Sequence, residues 1–173
     1  RETLGRGELP LWDTGIFAGH PLFGCFQSAL LSPFTLMTLI LPLPWATVPA
    51  AAAKLLVGGM GMFFFTRSLR LGWPAVVFAS IAYLLNPFSV VWLEHPLASA
   101  AAWVPWVLWA SRKAAAEGSL HGTIALSVVV AFGLLAGHPE TFVKGVLLSA
   151  PFGLLSLVES QDRRRGMAAL ATG

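Results

Sequence analysis

Histidine followed directly by proline recurs at three places in this chain, and these pairs mark the residues with the most informative chemistry. The pairs are His20-Pro21, His95-Pro96 and His138-Pro139. Carboxylates and an amide accompany them in sequence: Asp13, Gln27, Glu94 and Glu140. Imidazole and carboxylate groups act as general acids and bases, and they coordinate several divalent cations. No tight metal-binding spacing such as His-Glu-x-x-His is present, so a divalent cation is only one of the options.

The same three pairs also have a purely structural interpretation. Each His-Pro pair can form a corner that caps a helix at a membrane interface, with the imidazole bonding to loop carbonyl groups. Capping does not require histidine, so the threefold recurrence favours a shared chemical site. From the sequence alone, both interpretations stand.

Two lysines, Lys54 and Lys144, lie inside otherwise apolar segments. A lysine there is costly unless it extends to the lipid headgroups, forms a pair or faces a polar cavity. One interpretation is that both side chains reach the outer headgroups. The other is that both ammonium groups hold an anion, most naturally the phosphate of a lipid carrier, with Arg1 and Arg6 as further cations.

The composition is that of a membrane protein. Apolar residues make up 56% of the chain and charged residues only 11%, whereas a soluble domain carries about 25% charged residues. The cations lie in short loops between apolar segments, so the net charge of +3 indicates membrane topology and not nucleic-acid binding. Cys25 is the single cysteine, which excludes a disulfide or a cysteine cluster within the chain.

Five continuously apolar segments predict an all-α, polytopic transmembrane bundle. Their approximate bounds are 47–66, 73–92, 97–111, 123–136 and 141–158. Their lack of alternation disfavours strands. The third and fourth are short, since a crossing needs about 20 residues, and Pro105 is expected to kink the third.

The remaining segments are assigned around these five spans. Residues 1–46 are predicted to form one external loop, in which the short apolar segment 33–44 forms an interfacial or re-entrant helix. Residues 166–173 are expected to begin a further span. The polar start of the chain and this last segment indicate an internal fragment of a longer protein, with 47–165 and its flanks forming one partial membrane domain.

Basic residues fall in alternate connections and predict the orientation. They follow spans one, three and five: Arg67, Arg70, Arg112, Lys113, Arg163, Arg164 and Arg165. The positive-inside rule places these connections in the cytoplasm. Alternation then places the His-Pro corners and residues 1–46 on the external face of the cytoplasmic (inner) membrane.

The order of short motifs resembles a known family. The run Gly7–Trp12, then Gly19–Leu22, then Gln27–Ala29 and Ser32-Pro33, is similar to the first external loop of bacterial YfhO-like membrane proteins. The resemblance continues through three later motifs: Arg67–Gly72, Trp103–Trp106 and Gly137–Glu140. The chain departs from the family pattern where Asp13-Thr14 replaces Asn-Pro, Cys25-Phe26 replaces Ala-Asn and Ser32 replaces Tyr.

This family is grouped with the GT-C type glycosyltransferases. The resemblance implies a GT-C-like helix bundle that takes a sugar from a polyprenyl-phosphate donor and transfers it to a cell-envelope acceptor on the outer face. It also implies that the usual catalytic acid precedes the motifs found here. Asp13 aligns with an asparagine position and is the candidate catalytic base within the chain.

Together these observations predict a membrane glycosyltransferase. Its donor phosphate is expected at Lys54 or Lys144. The residues expected to shape the sugar or acceptor pocket are His20, Gln27, Glu94, His95, His138 and Glu140. Two alternatives remain: a lipid or solute transporter or flippase, for which paired repeats or helices broken near the midplane are typical, and a non-catalytic membrane scaffold.

Overall fold

The structure is a computed structural model that describes residues 2–16, 18–117 and 120–171, with side chains described for 3–16, 18–115 and 120–159. Within these residues the chain is helical and contains no strand, apart from one isolated antiparallel bridge between Asp13 and His20. The predicted all-α class is therefore confirmed.

The described helices are α1 Glu2–Gly5, α2 Pro33–Ile40, α3 Leu43–Ser68, α4 Trp73–Leu84, α5 Pro87–Val91, α6 Pro96–Ala101, α7 Val104–Glu117, α8 Leu120–Leu135 and α9 Pro139–Ala171. From α2 onward they follow one another with short connections, whereas residues 6–32 separate α1 from α2. Proline occupies the first or second position of each helix from α2 to α6 and the first position of α9. Its fixed φ suits the first turn, where its missing N–H loses no helical hydrogen bond.

Three stretches are long and apolar enough to cross a membrane: Leu43–Ser68, Trp73–Val91 and Pro139–Glu159. Leu120–Leu135 is a shorter apolar helix. Many large apolar side chains on these helices face outward, for example Phe78 on α4 and Leu148 on α9, with 75% and 84% of their surface exposed. Such outward apolar faces are those of a helical membrane protein.

The predicted spans 73–92 and 97–111 are each divided into two helices in the structure. Asn86 lies between α4 and α5 with extended ψ, because the following proline disfavours helical geometry at that position. Its side chain then caps α5 by accepting a 2.9 Å hydrogen bond from the Ser89 amide. The other break lies at Ala102 and Trp103, between α6 and α7.

The segments at the two ends of the bundle also differ in detail from the expected bounds. The short helix predicted over 33–44 is α2, which ends at Ile40, and α3 begins only three residues later at Leu43. Residues 166–171, expected to begin a further span, continue α9 without a break. Residues 172–173 lie outside the described part of the chain.

The core forms where α7 packs against α3, α8 and α9. Its buried members are mostly small: Ala100, Val107, Ala110, Val129, Ala136 and Phe142. Tryptophans of the α6–α7 region join the helices around this core. Trp106 Nε1 donates a 2.8 Å hydrogen bond to the Val57 carbonyl on α3, and Trp103 stacks on Phe132 of α8 with ring centroids 5.0 Å apart.

The connections between helices contact α3 at two positions that are far apart along its axis. At one level, Arg112 donates a 3.2 Å hydrogen bond to the Ser68 carbonyl and lies 3.9 Å from the Glu159 carboxylate, so α3, α7 and α9 meet there. At the other level, Lys54 contacts the connection between α5 and α6. With a rise of 1.5 Å per residue, Lys54 and Ser68 are about 21 Å apart along α3.

Candidate functional site

The two Gly-His-Pro triplets share a backbone feature, since both glycines have positive φ: +107° at Gly19 and +95° at Gly137. Residues with a Cβ rarely adopt this conformation. A Cβ on Gly137 would also lie 2.5 Å from Ala29 Cβ and 3.1 Å from Pro96 Cβ. Glycine at 137 therefore lets the first loop and two of the His-Pro corners pack together at one end of the bundle.

The three histidines of the His-Pro pairs have different surroundings. His138 caps α9, because its Nδ1 accepts a 3.2 Å hydrogen bond from the Thr141 amide. His95 precedes α6, where its ring makes an edge-on contact with Trp92 at 5.2 Å between centroids. His20 exchanges two backbone hydrogen bonds with Asp13, of 2.9 and 2.8 Å. The capping interpretation thus describes His138, although its imidazole bonds an amide and not a carbonyl.

Asp13 has a structural role in the first loop. Its Oδ1 accepts a 2.8 Å hydrogen bond from the Gly15 amide, which closes a tight local turn. Its backbone pairs with His20 across that turn. The described contacts of Asp13 therefore shape the loop in which the first His-Pro pair lies.

One cavity of about 240 Å³ brings together three of the residues singled out from the sequence: Gln27, Lys54 and Glu94. We call it the polar cavity. It lies between the first loop, α2, α3 and the connection that leads into α6. Hydroxyl side chains complete its polar lining: Ser28, Thr35, Thr38, Thr47 and Ser99.

These hydroxyl residues were not identified from the sequence. Thr35 and Thr38 are three residues apart on the otherwise apolar α2, a spacing that places both on one face of the helix. This three-residue spacing is the feature of the sequence that could have identified Thr35 and Thr38. The contribution of Thr47 and Ser99 depends on how α2 and α6 pack against α3, which no local pattern specifies.

Lys54 is the cation of the polar cavity. Its side chain is half-buried, and its Nζ donates a 2.7 Å hydrogen bond to the carbonyl of Leu93, which lies between α5 and α6 outside any helix. This bond uses one of the three N–H groups of the ammonium. Glu94, next to the accepting carbonyl, is exposed and close enough to interact electrostatically with Lys54.

Lys144 has a different environment from Lys54. Its Nζ pairs with the Glu140 carboxylate at 2.5 Å, one turn away on α9, and both side chains are about two-thirds exposed. Neither residue lines the polar cavity, and neither do Asp13, His20, His95 and His138. Arg6 is exposed in the first loop, whereas Arg1 lies outside the described residues.

In the described part of the chain, no group of three or more His, Cys, Asp or Glu side chains is arranged to hold a metal ion. The chemistry offered by the polar cavity is that of an ammonium, a carboxylate, an amide and several hydroxyl groups.

No protein-family model, curated protein or solved structure matches this chain. The fold and the cavity define an all-α membrane protein with a polar site between helices near one end of the bundle. The YfhO-like resemblance rests on the loop motifs themselves, and the activity that it implies is carried forward as a proposal.

Proposed function

We propose that the chain is part of a membrane glycosyltransferase. The enzyme transfers a sugar from a polyprenyl-phosphate donor to a cell-envelope acceptor at the outer face of the cytoplasmic membrane. The observation that carries this proposal is the convergence of Lys54, Gln27, Glu94 and five hydroxyl side chains on one cavity. The loop motifs that resemble YfhO-like proteins support the same activity.

The phosphate and the sugar of the donor each have matching groups in the polar cavity. The Lys54 ammonium, oriented by Leu93, binds the phosphate with its remaining N–H groups. Gln27, Glu94 and the hydroxyl side chains exchange hydrogen bonds with sugar hydroxyl groups. The half-buried setting of Lys54 strengthens its attraction to a phosphate relative to the same contact in water.

The orientation follows from the two ends of the bundle. Arg67, Arg70 and Arg112 lie at the end of α3 remote from the polar cavity, and the positive-inside rule assigns that end to the cytoplasm. The polar cavity then faces the outer side, where a polyprenyl-phosphate sugar exposes its head group.

The reaction also needs a general base to accept the proton of the attacking hydroxyl. The family resemblance implies that the acidic residue which serves as this base precedes the Gly7–Trp12 motif. Glu94 is the carboxylate of the polar cavity, and we assign it to substrate binding. Asp13 is engaged with the Gly15 amide in the first loop.

The test is sugar transfer by the full-length protein in membrane vesicles, with a radiolabelled polyprenyl-phosphate sugar as donor. Lys54→Met is expected to lower turnover at least about tenfold, since a charge-assisted hydrogen bond contributes about 1.5–3 kcal/mol. Lys144→Met, which removes an exposed cation outside the cavity, is the matched control and should stay close to wild type. Transfer at wild-type rates by Lys54→Met would contradict the proposal.

A transporter or flippase is the second candidate, and the breaks between α4 and α5 and between α6 and α7 favour it. Transporters build substrate sites from such interrupted helices. An experiment in sealed proteoliposomes distinguishes the two functions. A flippase moves the lipid phosphate between leaflets without releasing its sugar, whereas a transferase consumes the donor.

A further inference from the structure

Gly137, in the second Gly-His-Pro triplet, adjoins two walls of the polar cavity, although it does not itself line the cavity. A Cβ on Gly137 would lie 2.5 Å from Ala29 Cβ and 3.1 Å from Pro96 Cβ. Ala29 in the first loop and Pro96 at the start of α6 both line the polar cavity. The corner at Gly137 therefore packs against the cavity from outside.

The segment of the first loop at this contact is a turn with unusual backbone geometry. Phe26 and Ala29 have positive φ, +54° and +45°, which residues with a Cβ rarely adopt. The Ala29 amide donates a 2.8 Å hydrogen bond to the Phe26 carbonyl and closes the turn around Gln27 and Ser28, which line the polar cavity. Such geometry persists only where the surrounding structure holds it in place.

Gly137 adjoins both ends of this turn. Its missing Cβ would lie 3.2 Å from the Phe26 carbonyl oxygen as well as 2.5 Å from Ala29 Cβ. Carbon atoms in contact are about 3.5–4.0 Å apart, so the space between positions 29 and 137 holds one methyl group and not two. In a close-packed interior, a second methyl group displaces the turn, and removal of the first leaves the turn without its support.

The first Gly-His-Pro triplet has the same backbone feature but a different neighbour. A Cβ on Gly19 would lie 2.6 Å from Trp12 Nε1. Neither Gly19 nor Trp12 lines the polar cavity. Of the two triplets, the second is therefore the one that adjoins the cavity.

We propose that Gly137 is a positioning residue of the polar cavity. Its contact with both ends of the turn holds Gln27 and Ser28 at a fixed distance from Lys54, so that these side chains bind one ligand together. Gly137 acts through the turn and does not touch the ligand. The proposal rests on the proposed function for the identity of that ligand, the polyprenyl-phosphate sugar.

The first test measures the cavity without a ligand. Ser99 lines the cavity and is only 4% exposed, so Ser99→Cys in an otherwise cysteine-free full-length protein supplies a thiol that a reagent reaches through the cavity. Its rate of reaction with methyl methanethiosulfonate is expected to change at least about threefold in Gly137→Ala and in Ala29→Gly, because each alters a packed wall. The double variant moves the one methyl group from position 29 to position 137. Its rate should return to within about twofold of the starting rate, because the two changes compensate each other.

Two control variants carry the same substitutions at positive φ away from the cavity. Gly19→Ala adds a Cβ beside Trp12, and Ala18→Gly replaces an exposed alanine whose φ is +56°. Neither should change the reaction rate. Ala29→Gly is expected to fold, because glycine suits its φ. The comparison of Ala29→Gly with Ala18→Gly therefore decides the proposal even where Gly137→Ala does not fold.

The second test measures sugar transfer by the same variants without the Ser99 substitution. Gly137→Ala is expected to raise the KM for the donor at least about threefold with little change in kcat, since the contact affects binding of the ground state and transition state alike. The double variant should recover the KM but keep a lowered unfolding midpoint, because alanine at 137 remains strained at φ +95°. A purely structural role would lower stability and leave the KM of both variants unchanged.

The outcomes separate the positioning role from the enzymatic function. Unchanged thiol reactivity in both Gly137→Ala and Ala29→Gly overturns the proposal. An equal change in the control variants, or a double variant that is not restored, also overturns it. Absence of sugar transfer by the wild type would refute the proposed enzyme, and the thiol reactivity would still decide whether Gly137 positions the cavity.

Discussion

Lys54 on α3 donates a 2.7 Å hydrogen bond to the backbone carbonyl of Leu93, 39 residues later in the chain. Leu93 lies in the connection between α5 and α6, where its carbonyl has no helical partner. The bond holds the ammonium beside the polar cavity that Lys54 lines. The position of this lysine is thus fixed by the connection between two neighbouring helices, α5 and α6.

The first prediction concerns the kind of cation at position 54. Lys54→Arg is expected to keep part of the affinity for hexadecyl phosphate, because phosphate accepts either cation, but the larger planar guanidinium fits the Leu93 contact less well. Lys54→Met should lose most of this affinity. Membrane insertion of both variants, measured by carbonate extraction, should match wild type, since removal of a charge from a span eases insertion. Equal affinities for all three proteins would exclude Lys54 as the phosphate ligand.

The second prediction concerns the corner at Gly137. Gly137→Ala is expected to lower the free energy of unfolding by about 1–3 kcal/mol, because alanine is strained at positive φ. The added Cβ would also overlap Ala29 and Pro96. Gly72→Ala is the control, since its φ is −65° and its nearest neighbour would be 3.9 Å away. Thermal unfolding in detergent measures both, and equal midpoints would show that the corner tolerates a side chain.

The third prediction separates capping from chemistry at His138. His138→Ala removes the acceptor for the Thr141 amide and is expected to lower stability by about 1 kcal/mol, whereas His138→Asn should retain the cap. Exposed His121 on α8 provides the control His121→Ala. Sugar transfer by the asparagine variant should equal wild type. Loss of transfer with unchanged stability would instead assign the imidazole a chemical role.

The two lysines show how much of the site was accessible from the sequence. Lys144 follows Glu140 by four residues, the spacing at which helical ion pairs form, so its partner was readable from the sequence. Lys54 has Ala50 and Gly58 at the corresponding positions and must find its partner in another segment. Its contact with Leu93 depends on tertiary packing, which periodicity does not report.

Some features of the helices also follow from the local sequence, whereas others depend on tertiary packing. Long apolar segments predicted the helical class, and the break at Asn86-Pro87 follows from the conformational restriction before proline. The second break, at Ala102 and Trp103, lies just before Pro105, which was expected to kink this span and which cannot donate an N–H to the Ala101 carbonyl four residues earlier. The partners at this break depend on tertiary packing, since Tyr83 bonds the Ala101 carbonyl and Trp103 stacks on Phe132.

The last prediction concerns membrane orientation. In a Cys25→Ser background, Thr14→Cys and Glu94→Cys are expected to react with a membrane-impermeant thiol reagent in intact cells, because both residues are exposed at the end of the bundle assigned to the outer face. Arg70→Cys, also exposed but in the basic connection after α3, should react only after permeabilisation. All three sites must react in solubilised protein, which serves as the control for accessibility. Labelling of Arg70→Cys in intact cells, with Glu94→Cys protected, would show that the bundle has the opposite orientation in the membrane. The polar cavity would then open to the cytoplasm, and a donor presented on the outer face could not reach Lys54.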